Sequence, residues 1–214
     1  AIEADSIKID GSFIKDLSLT PHKQLFAHDG RGIDTDDNLR TTSPRIYAVG
    51  DVAKGRGGLT HAAGFHAGQI IKAFYFLPPG LNKILAKANT DIMPAAIYSE
   101  PELASIGLSA KEAREAGHDI RELTAGFDHN DRAIAEGKTL GECKLVLNKG
   151  KLVGASIVGE GAGDIIQLVS VAMSNGLKLT ALTNFISPYP TRAEVVKRAA
   201  SAHFTPVVFG KSGK

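Results

Sequence analysis

Arg45-Ile46-Tyr47-Ala48-Val49-Gly50-Asp51-Val52, followed beyond a glycine-rich loop by Leu59-Thr60-His61-Ala62-Ala63-Gly64, is the stretch on which the reading of this chain turns. Ile46 to Val49 is a short apolar, β-prone run ended by glycine, which predicts a buried strand with a tight exit. Asp51 then falls just past a strand terminus, where a carboxylate can meet a ligand lying across the end of a sheet. The loop Gly55-Arg56-Gly57-Gly58 leads into a helix opening near Thr60. A helix start offers unpaired backbone N–H groups and the positive end of its dipole, which suit an electronegative ligand edge.

The run from Asp36-Asp37-Asn38-Leu39-Arg40-Thr41-Thr42 through Val52, with Leu59 to Ala63, resembles the second flavin-contacting motif of the pyridine nucleotide-disulfide oxidoreductases. This is the family of dihydrolipoamide dehydrogenase, glutathione reductase and mercuric reductase. Order and spacing both match. The resemblance implies that Gly50 and Asp51 hold the ribityl chain of FAD. It also implies that the backbone at Leu59, Thr60 and His61 points a helix N-terminus at the flavin ring. Taken alone, Asp51 also reads as a turn or N-cap aspartate.

Further along, Tyr98-Ser99-Glu100-Pro101-Glu102-Leu103-Ala104-Ser105-Ile106-Gly107-Leu108, then Asn130-Asp131-Arg132-Ala133, then Leu152-Val153-Gly154-Ala155 resemble the dimerisation domain of the same family. With the flavin segment, the likeness runs from about residue 25 to 209. It implies a homodimer, FAD and NAD(P)H as the cofactors of a full-length parent, and a disulfide or another electron acceptor.

Composition sets limits on these expectations. The 214 residues can bury a core and hold one large or two small domains. A hydrophobic share of 43% with 22% charged residues is that of an ordinary globular protein. No run approaches a membrane span, and the N-terminus lacks the basic-then-apolar pattern of a secretory signal. A net charge of +2, well mixed along the chain, leaves no footprint for nucleic acid. The one cysteine, Cys143, excludes an internal disulfide and fits a reducing compartment, so the cytoplasm is the expected location. The family's redox chemistry runs through a cysteine pair, and its flavin pyrophosphate rests on an N-terminal G-x-G-x-x-G turn. The sequence contains neither, so it reads as the C-terminal portion of a larger enzyme. Alone it is expected to retain no flavin and to turn over no substrate.

Periodicity places the remaining elements. A helix is predicted from Thr60 to about Phe76, with Ile70, Ile71, Ala73 and Phe74 on its core side. Met93 to Tyr98 and Asp119 to Phe127 read as strands, and Cys143–Leu147 with Leu152–Val158 as a hairpin around Asn148-Lys149-Gly150. Ser109-Ala110-Lys111-Glu112 has the spacing of a capping box, with Gly117 as the stop. Ile165, Ile166, Leu168, Val169, Ala172 and Met173 recur at helical spacing, and a last helix is expected from Thr191. The expected architecture is α+β, an antiparallel sheet with helices on one face, preceded by a partial FAD-binding α/β segment. The expected division is an unassigned segment 1–24, a flavin-domain segment 25–89 and a dimerisation domain 90–214.

Tyr189-Pro190-Thr191-Arg192-Ala193-Glu194 is the most informative string for catalysis. Dithiol-handling relatives have His-Pro-Thr-x-x-Glu here, the histidine acting as acid and base toward the dithiol and the glutamate orienting it at the dimer interface. By resemblance those positions are Tyr189 and Glu194. A phenol titrates near ~10 and an imidazole near ~6.5, so Tyr189 cannot be the same proton shuttle at neutral pH. That departure puts lipoamide and glutathione reduction in doubt. Thr191-x-x-Glu194 also has capping-box spacing, so Glu194 carries a structural reading beside the catalytic one.

Other motifs carry less. Gly159-Glu160-Gly161-Ala162-Gly163-Asp164 imitates a dinucleotide fingerprint but has aspartate at the third glycine position and a hairpin strand before it; Asp164 reads as a helix N-cap. The histidines show no metal-ligand pairing, since His61 and His66 are five residues apart and diverge on a helix. Cys143 alternates with Leu145 and Leu147 and is read as core. Ile7-Lys8-Ile9-Asp10-Gly11-Ser12-Phe13-Ile14 resembles a strand of EAL-type cyclic dinucleotide phosphodiesterases, in which Lys-x-Asp serves the metal site, but the rest of that barrel is absent, so that activity is a remote alternative. A non-enzymatic dimerisation module without flavin is the nearer one.

Overall fold

The structure is a computed structural model that describes residues 32–205 apart from positions 44, 57, 79, 82, 83, 85 and 89–91. The readings of residues 1–24, with the 7–14 string, therefore lie outside the described residues. The chain divides into two compact units, Ala1–Thr90 and Asp91–Lys214.

In the first unit the Asp36 carboxylate folds its own segment. Oδ1 accepts the backbone N–H groups of Asn38 (2.9 Å) and Arg40 (3.0 Å), and this turn carries Leu39 into the left-handed region at φ 64° with its side chain fully buried. Leu39 and Thr41 then pair with Ile46 and Ala48 across one antiparallel bridge, Arg40 to Tyr47. The strand expected at Ile46–Val49 is thus only a single bridge. Its apolar run meets one short neighbour, and Gly50, at φ 67°, turns the chain away at once. A parallel bridge joins Ile33 to Ala53, and Ile33, Ala48 and Ala53 form a small core with Val52 against it.

Helix α1 spans Thr60–Ile71 and continues as a π-helical turn over Lys72–Phe76. Among the described residues its buried positions are Ala62 and His66, one turn apart, whereas Ile71, Phe74, Tyr75 and Phe76 are exposed. Of the expected core side, Ile71 and Phe74 are thus exposed, and Ile70 and Ala73 are only half-buried. Apolar content misled the periodic reading, because the inward face is built from a small residue and an imidazole.

The second unit holds strands β1 Ala95–Ile97, β2 Leu103–Gly107, β3 Ile120–Gly126, β4 Glu142–Asn148 and β5 Lys151–Val158 in one antiparallel sheet, ordered β1-β2-β5-β4-β3. Alternation along each strand gives the sheet its two faces. The register aligns Ala104, Ile157, Cys143 and Ala125 in one row across four strands and Ile106, Ala155, Leu145 and Leu123 in the next, all buried. The intervening row, Ser105, Ser156, Lys144 and Thr124, is polar and lies on the opposite face. Each large aliphatic side chain so buried contributes about 1.5–3 kcal/mol of transfer free energy.

Two helices cover the apolar face. α4 (Ala162–Ser174) packs on β2 and β5 through Ile165, Ile166, Val169 and Ala172. α6 (Glu194–Ser201) packs on β3 and β4 through Val195, Val196, Ala199 and Ala200. The remaining helices are short: α2 Ala110–Glu115, α3 Asp131–Ala135 and α5 Ala181–Asn184. The architecture is α+β, with both long-range helices on one face of an antiparallel sheet. The Ser109–Glu112 capping box forms in both directions, at 3.2 and 2.8 Å. β4 and β5 are joined through Lys149 (φ 49°) and Gly150 (φ 81°), the two left-handed residues of a tight hairpin.

Two helix starts differ from expectation. Gly161 is the N-cap of α4, and Asp164 lies inside its first turn. The cap comes from elsewhere in the chain: Glu102 Oε2 accepts the Gly163 N–H at 3.0 Å. α6 begins at Glu194 rather than Thr191: Arg192 and Ala193 form a turn ahead of it, and Thr191 Oγ1 donates to the Pro188 carbonyl at 3.0 Å.

Candidate functional site

The flavin-like motif is organised around Gly50. Residues Gly50–Val52 form a 3-10 turn closed by Ala53 N–H to Gly50 O at 3.0 Å. A Cβ on Gly50 would approach the Ala63 methyl to 3.0 Å, so only glycine suits both the left-handed φ and the packing against α1. The Gly50 N–H donates to His66 Nδ1 at 3.0 Å, tying the turn to the second turn of α1. Asp51 is exposed at the apex. Ahead of α1, Leu59 holds the N-cap position without a side-chain cap hydrogen bond. An exposed carboxylate on a turn fixed to a helix with an uncapped start is a donor-and-acceptor set that fits a polyhydroxyl chain and an electronegative ring edge. FAD offers both.

Arg56, in the glycine-rich loop, is not available for phosphate. Its guanidinium donates to the carbonyls of Ala88 and Asp36, each at 3.0 Å, and pairs with Asp37 at 3.4 Å. Lys87 pairs with the same Asp37 at 3.2 Å, and these hydrogen bonds hold the Asp37 carboxyl below the usual carboxylate range. The loop cation closes the unit instead. His66 is fully buried, and its imidazole pKa is lowered by burial and then by the charge of Arg56.

In the second unit the Tyr189–Glu194 string runs into α6. The Tyr189 hydroxyl donates to Asp131 Oδ2 at 2.9 Å, and this bond, with the charge of Asp131, raises the phenol above its ordinary value. Glu194 Oε2 accepts the Thr191 N–H at 3.0 Å, half of a capping box. Asn130 joins the two segments: its Oδ1 caps α3 at the Ala133 N–H (3.0 Å) and its Nδ2 donates to the Thr191 carbonyl (3.0 Å). Arg192 and Arg132 both pair with Glu136 behind them.

A cleft of about 310 Å³ lies beside the string, lined by His129, Asp131, Glu194, Lys197, Arg198 and Ser201 among others. Its charges are mixed, and the Lys197 ammonium is already held by the Phe185 carbonyl at 2.8 Å. Among the described residues no three His, Cys, Asp or Glu side chains converge as a metal site, and no helix is long and apolar enough to cross a membrane. Cys143 is buried in the sheet core, its thiol pushed up to about 12 by desolvation and then by Glu142.

Sequence reasoning missed Asp131, His66 and Glu102 as partners. Asp131 stands inside the quoted Asn130–Ala133 motif, but nothing local announces a tyrosine fifty-eight residues away as its donor.

Comparison with known proteins gives this geometry a family. Residues 93–200 match the pyridine nucleotide-disulphide oxidoreductase dimerisation domain, and residues 14–67 match the pyridine nucleotide-disulphide oxidoreductase domain. A mercuric reductase from Staphylococcus aureus is 35% identical over 171 residues, which are 78% of this chain and 29% of the relative. A dihydrolipoyl dehydrogenase from Bacillus subtilis is 35% identical over 173 residues, 79% of this chain and 35% of the relative. The chain thus spans about a third of the length of these curated relatives. Among solved structures, the HOCl-induced flavoprotein disulfide reductase RclA from Escherichia coli superposes with a TM-score of 0.71 at 25% identity, over 86% of this chain and 42% of that one. LpdA from Mycobacterium tuberculosis shares the fold, with a TM-score of 0.73 at 20% identity over 85% of this chain and 39% of that one. The chain belongs to the pyridine nucleotide-disulphide oxidoreductase family.

Proposed function

We propose that this chain is the flavin-contacting and dimerisation portion of an FAD-dependent cytoplasmic oxidoreductase that passes electrons from NAD(P)H to a disulfide or another acceptor. In this reading residues 25–89 belong to the flavin domain and residues 90–214 form the interface of a homodimer. The observation that carries it is the Gly50–Asp51 turn, anchored on α1, in a chain whose following unit matches the family's dimerisation domain. Asp51 would accept hydrogen bonds from the ribityl hydroxyls. The backbone at Leu59, Thr60 and His61 would face the electronegative edge of the ring. Bound FAD supplies the hydride and electron chemistry.

On the acceptor side, Asp131 keeps the Tyr189 phenol protonated and oriented, and Glu194 fixes the turn that carries it. A phenol in that state offers a hydrogen bond and shape to an acceptor rather than general base catalysis at neutral pH. The departure from histidine favours an acceptor other than a dithiol needing an imidazole. A dimerisation module without flavin is the second reading, supported by the match of residues 93–200 to the dimerisation domain.

Flavin binding separates the two. FAD titrated into the complete enzyme and into its Asp51→Ala variant should bind the first at least about tenfold more tightly, the loss expected for hydrogen bonds to a charged group. Equal affinity, or a complete protein without the absorbance band of oxidised flavin, overturns the flavin reading.

A further inference from the structure

His66 is the one histidine fully buried among the described residues, and it sits where the flavin motif and α1 meet. Nδ1 accepts the Gly50 N–H at 3.0 Å. Accepting there requires an unprotonated Nδ1, so the proton must be on Nε2. Nε2 is buried and has no hydrogen-bond partner among the described residues. A buried imidazole with one nitrogen committed and the other unsatisfied is an unfavourable arrangement for packing alone, since an apolar side chain of similar volume would bury no unsatisfied nitrogen of its own.

The alternative for Gly50 is equally constrained. Its N–H points into protein at a left-handed residue, where no ladder partner exists and a side chain would crowd Ala63. A buried N–H needs an acceptor. The imidazole is the acceptor the fold provides, from a helix sixteen residues away.

We propose that His66 is a positioning residue for the cofactor: as a single neutral tautomer, its Nδ1 locks the Gly50 N–H and thereby sets where the Asp51 carboxylate stands relative to the start of α1. The proposal rests on the reading that Asp51 contacts FAD. It adds that the acidic turn and the helix start form one rigid element, with the imidazole as the bolt between them. Burial, and then the charge of Arg56, disfavour the imidazolium that would release the turn.

Nitrogen NMR of the histidine-labelled chain tests the lock without any flavin. At neutral pH His66 should be the Nε2–H tautomer with an unprotonated, hydrogen-bonded Nδ1, and the Gly50 amide should exchange slowly. An Nδ1–H tautomer, an imidazolium, or a freely exchanging Gly50 amide overturns the proposal. The functional arm uses the complete enzyme with His66→Asn, whose Oδ1 can replace Nδ1 as acceptor, and His66→Leu, which cannot accept. FAD affinity should fall about tenfold or more in the leucine variant and be largely restored in the asparagine variant, as expected for loss and return of one hydrogen bond at a binding element. Equal affinities in the two variants overturn the positioning role. Should the leucine variant fail to fold, the wild-type tautomer and Gly50 exchange still decide the matter. Asp51→Ala serves as the separate control: if it leaves FAD affinity unchanged while the His66 lock is observed, the flavin reading fails and the local geometry stands.

Discussion

The hydroxyl of Tyr189 donates a 2.9 Å hydrogen bond to Oδ2 of Asp131, joining the loop before α6 to the first residue of α3. By resemblance Tyr189 stands at the histidine position of dithiol-handling relatives and Glu194 at the glutamate position, so the carboxylate that the phenol meets, Asp131, is a different one. A carboxylate accepting from a phenol stabilises the neutral phenol, so the proton is held more firmly than in a free tyrosine. Glu194 does not share this bond, because its carboxylate closes the turn at Thr191.

For the complete enzyme, Tyr189→Phe should slow electron transfer to the acceptor and leave flavin reduction by NAD(P)H unchanged. The loss should stay below about 10²-fold, the lower range for a residue that moves a proton in the transition state. Rapid-mixing measurements of the two half-reactions check this. A larger loss confined to the acceptor step would mean that the phenol transfers a proton. Glu194→Gln should preserve stability, since an amide oxygen can still accept the Thr191 N–H.

Assembly is expected to be dimeric. Ile186 and Tyr189, 95% and 73% exposed, flank the loop beside α6 in a unit that matches the family's dimerisation domain. Sedimentation at micromolar concentration should give a species of twice the 22.5 kDa chain mass. A single 22.5 kDa species over a wide concentration range removes the interface assignment.

Cys143 gives a pH dependence of definite sign. Its folded-state value is pushed up to about 12, above the 9.0 of an unperturbed thiol, so the contribution to stability is intact below pH 9.0 and declines as pH rises toward 12. The slope from this group approaches about 1.4 kcal/mol per pH unit in that window. Urea titrations of the chain and of Cys143→Ala from pH 8 to 11 should diverge accordingly. Iodoacetamide should label the native chain only as fast as it unfolds, since thiolate is scarce and access is blocked.

Leu145 sits in the second apolar row, fully buried between its strand neighbours Leu123 and Ala155. Leu145→Ala should cost about 2–5 kcal/mol by lost transfer energy and the cavity left behind. Chemical denaturation monitored by circular dichroism measures it. A loss below about 1 kcal/mol would mean that α4 and α6 collapse onto the space.

Much of the second unit was legible in the chain. Alternation at Cys143, Leu145 and Leu147, the helical spacing of Ile165 to Ala172, the Ser109–Glu112 box and the Lys149-Gly150 turn are local signals, and local energetics fixes the elements they predict. The family was legible too, in the order and spacing of its motifs. Tertiary structure decided what needed two distant segments. Ile46–Val49 is apolar enough for a strand, yet strand formation depends on neighbours, and only one short neighbour pairs with it. Asp164 has the residue type of an N-cap, but the Glu102 carboxylate reaches the α4 start first. The aromatic run after Ile71 looked like core, while the inward face of α1 went to Ala62 and His66 because the Gly50 N–H required an acceptor there. The Tyr189–Asp131 bond is of the same kind. Hydrogen-bond partners are assigned by the fold, since a donor's need is written in its own residue but its acceptor is found only when the chain has closed.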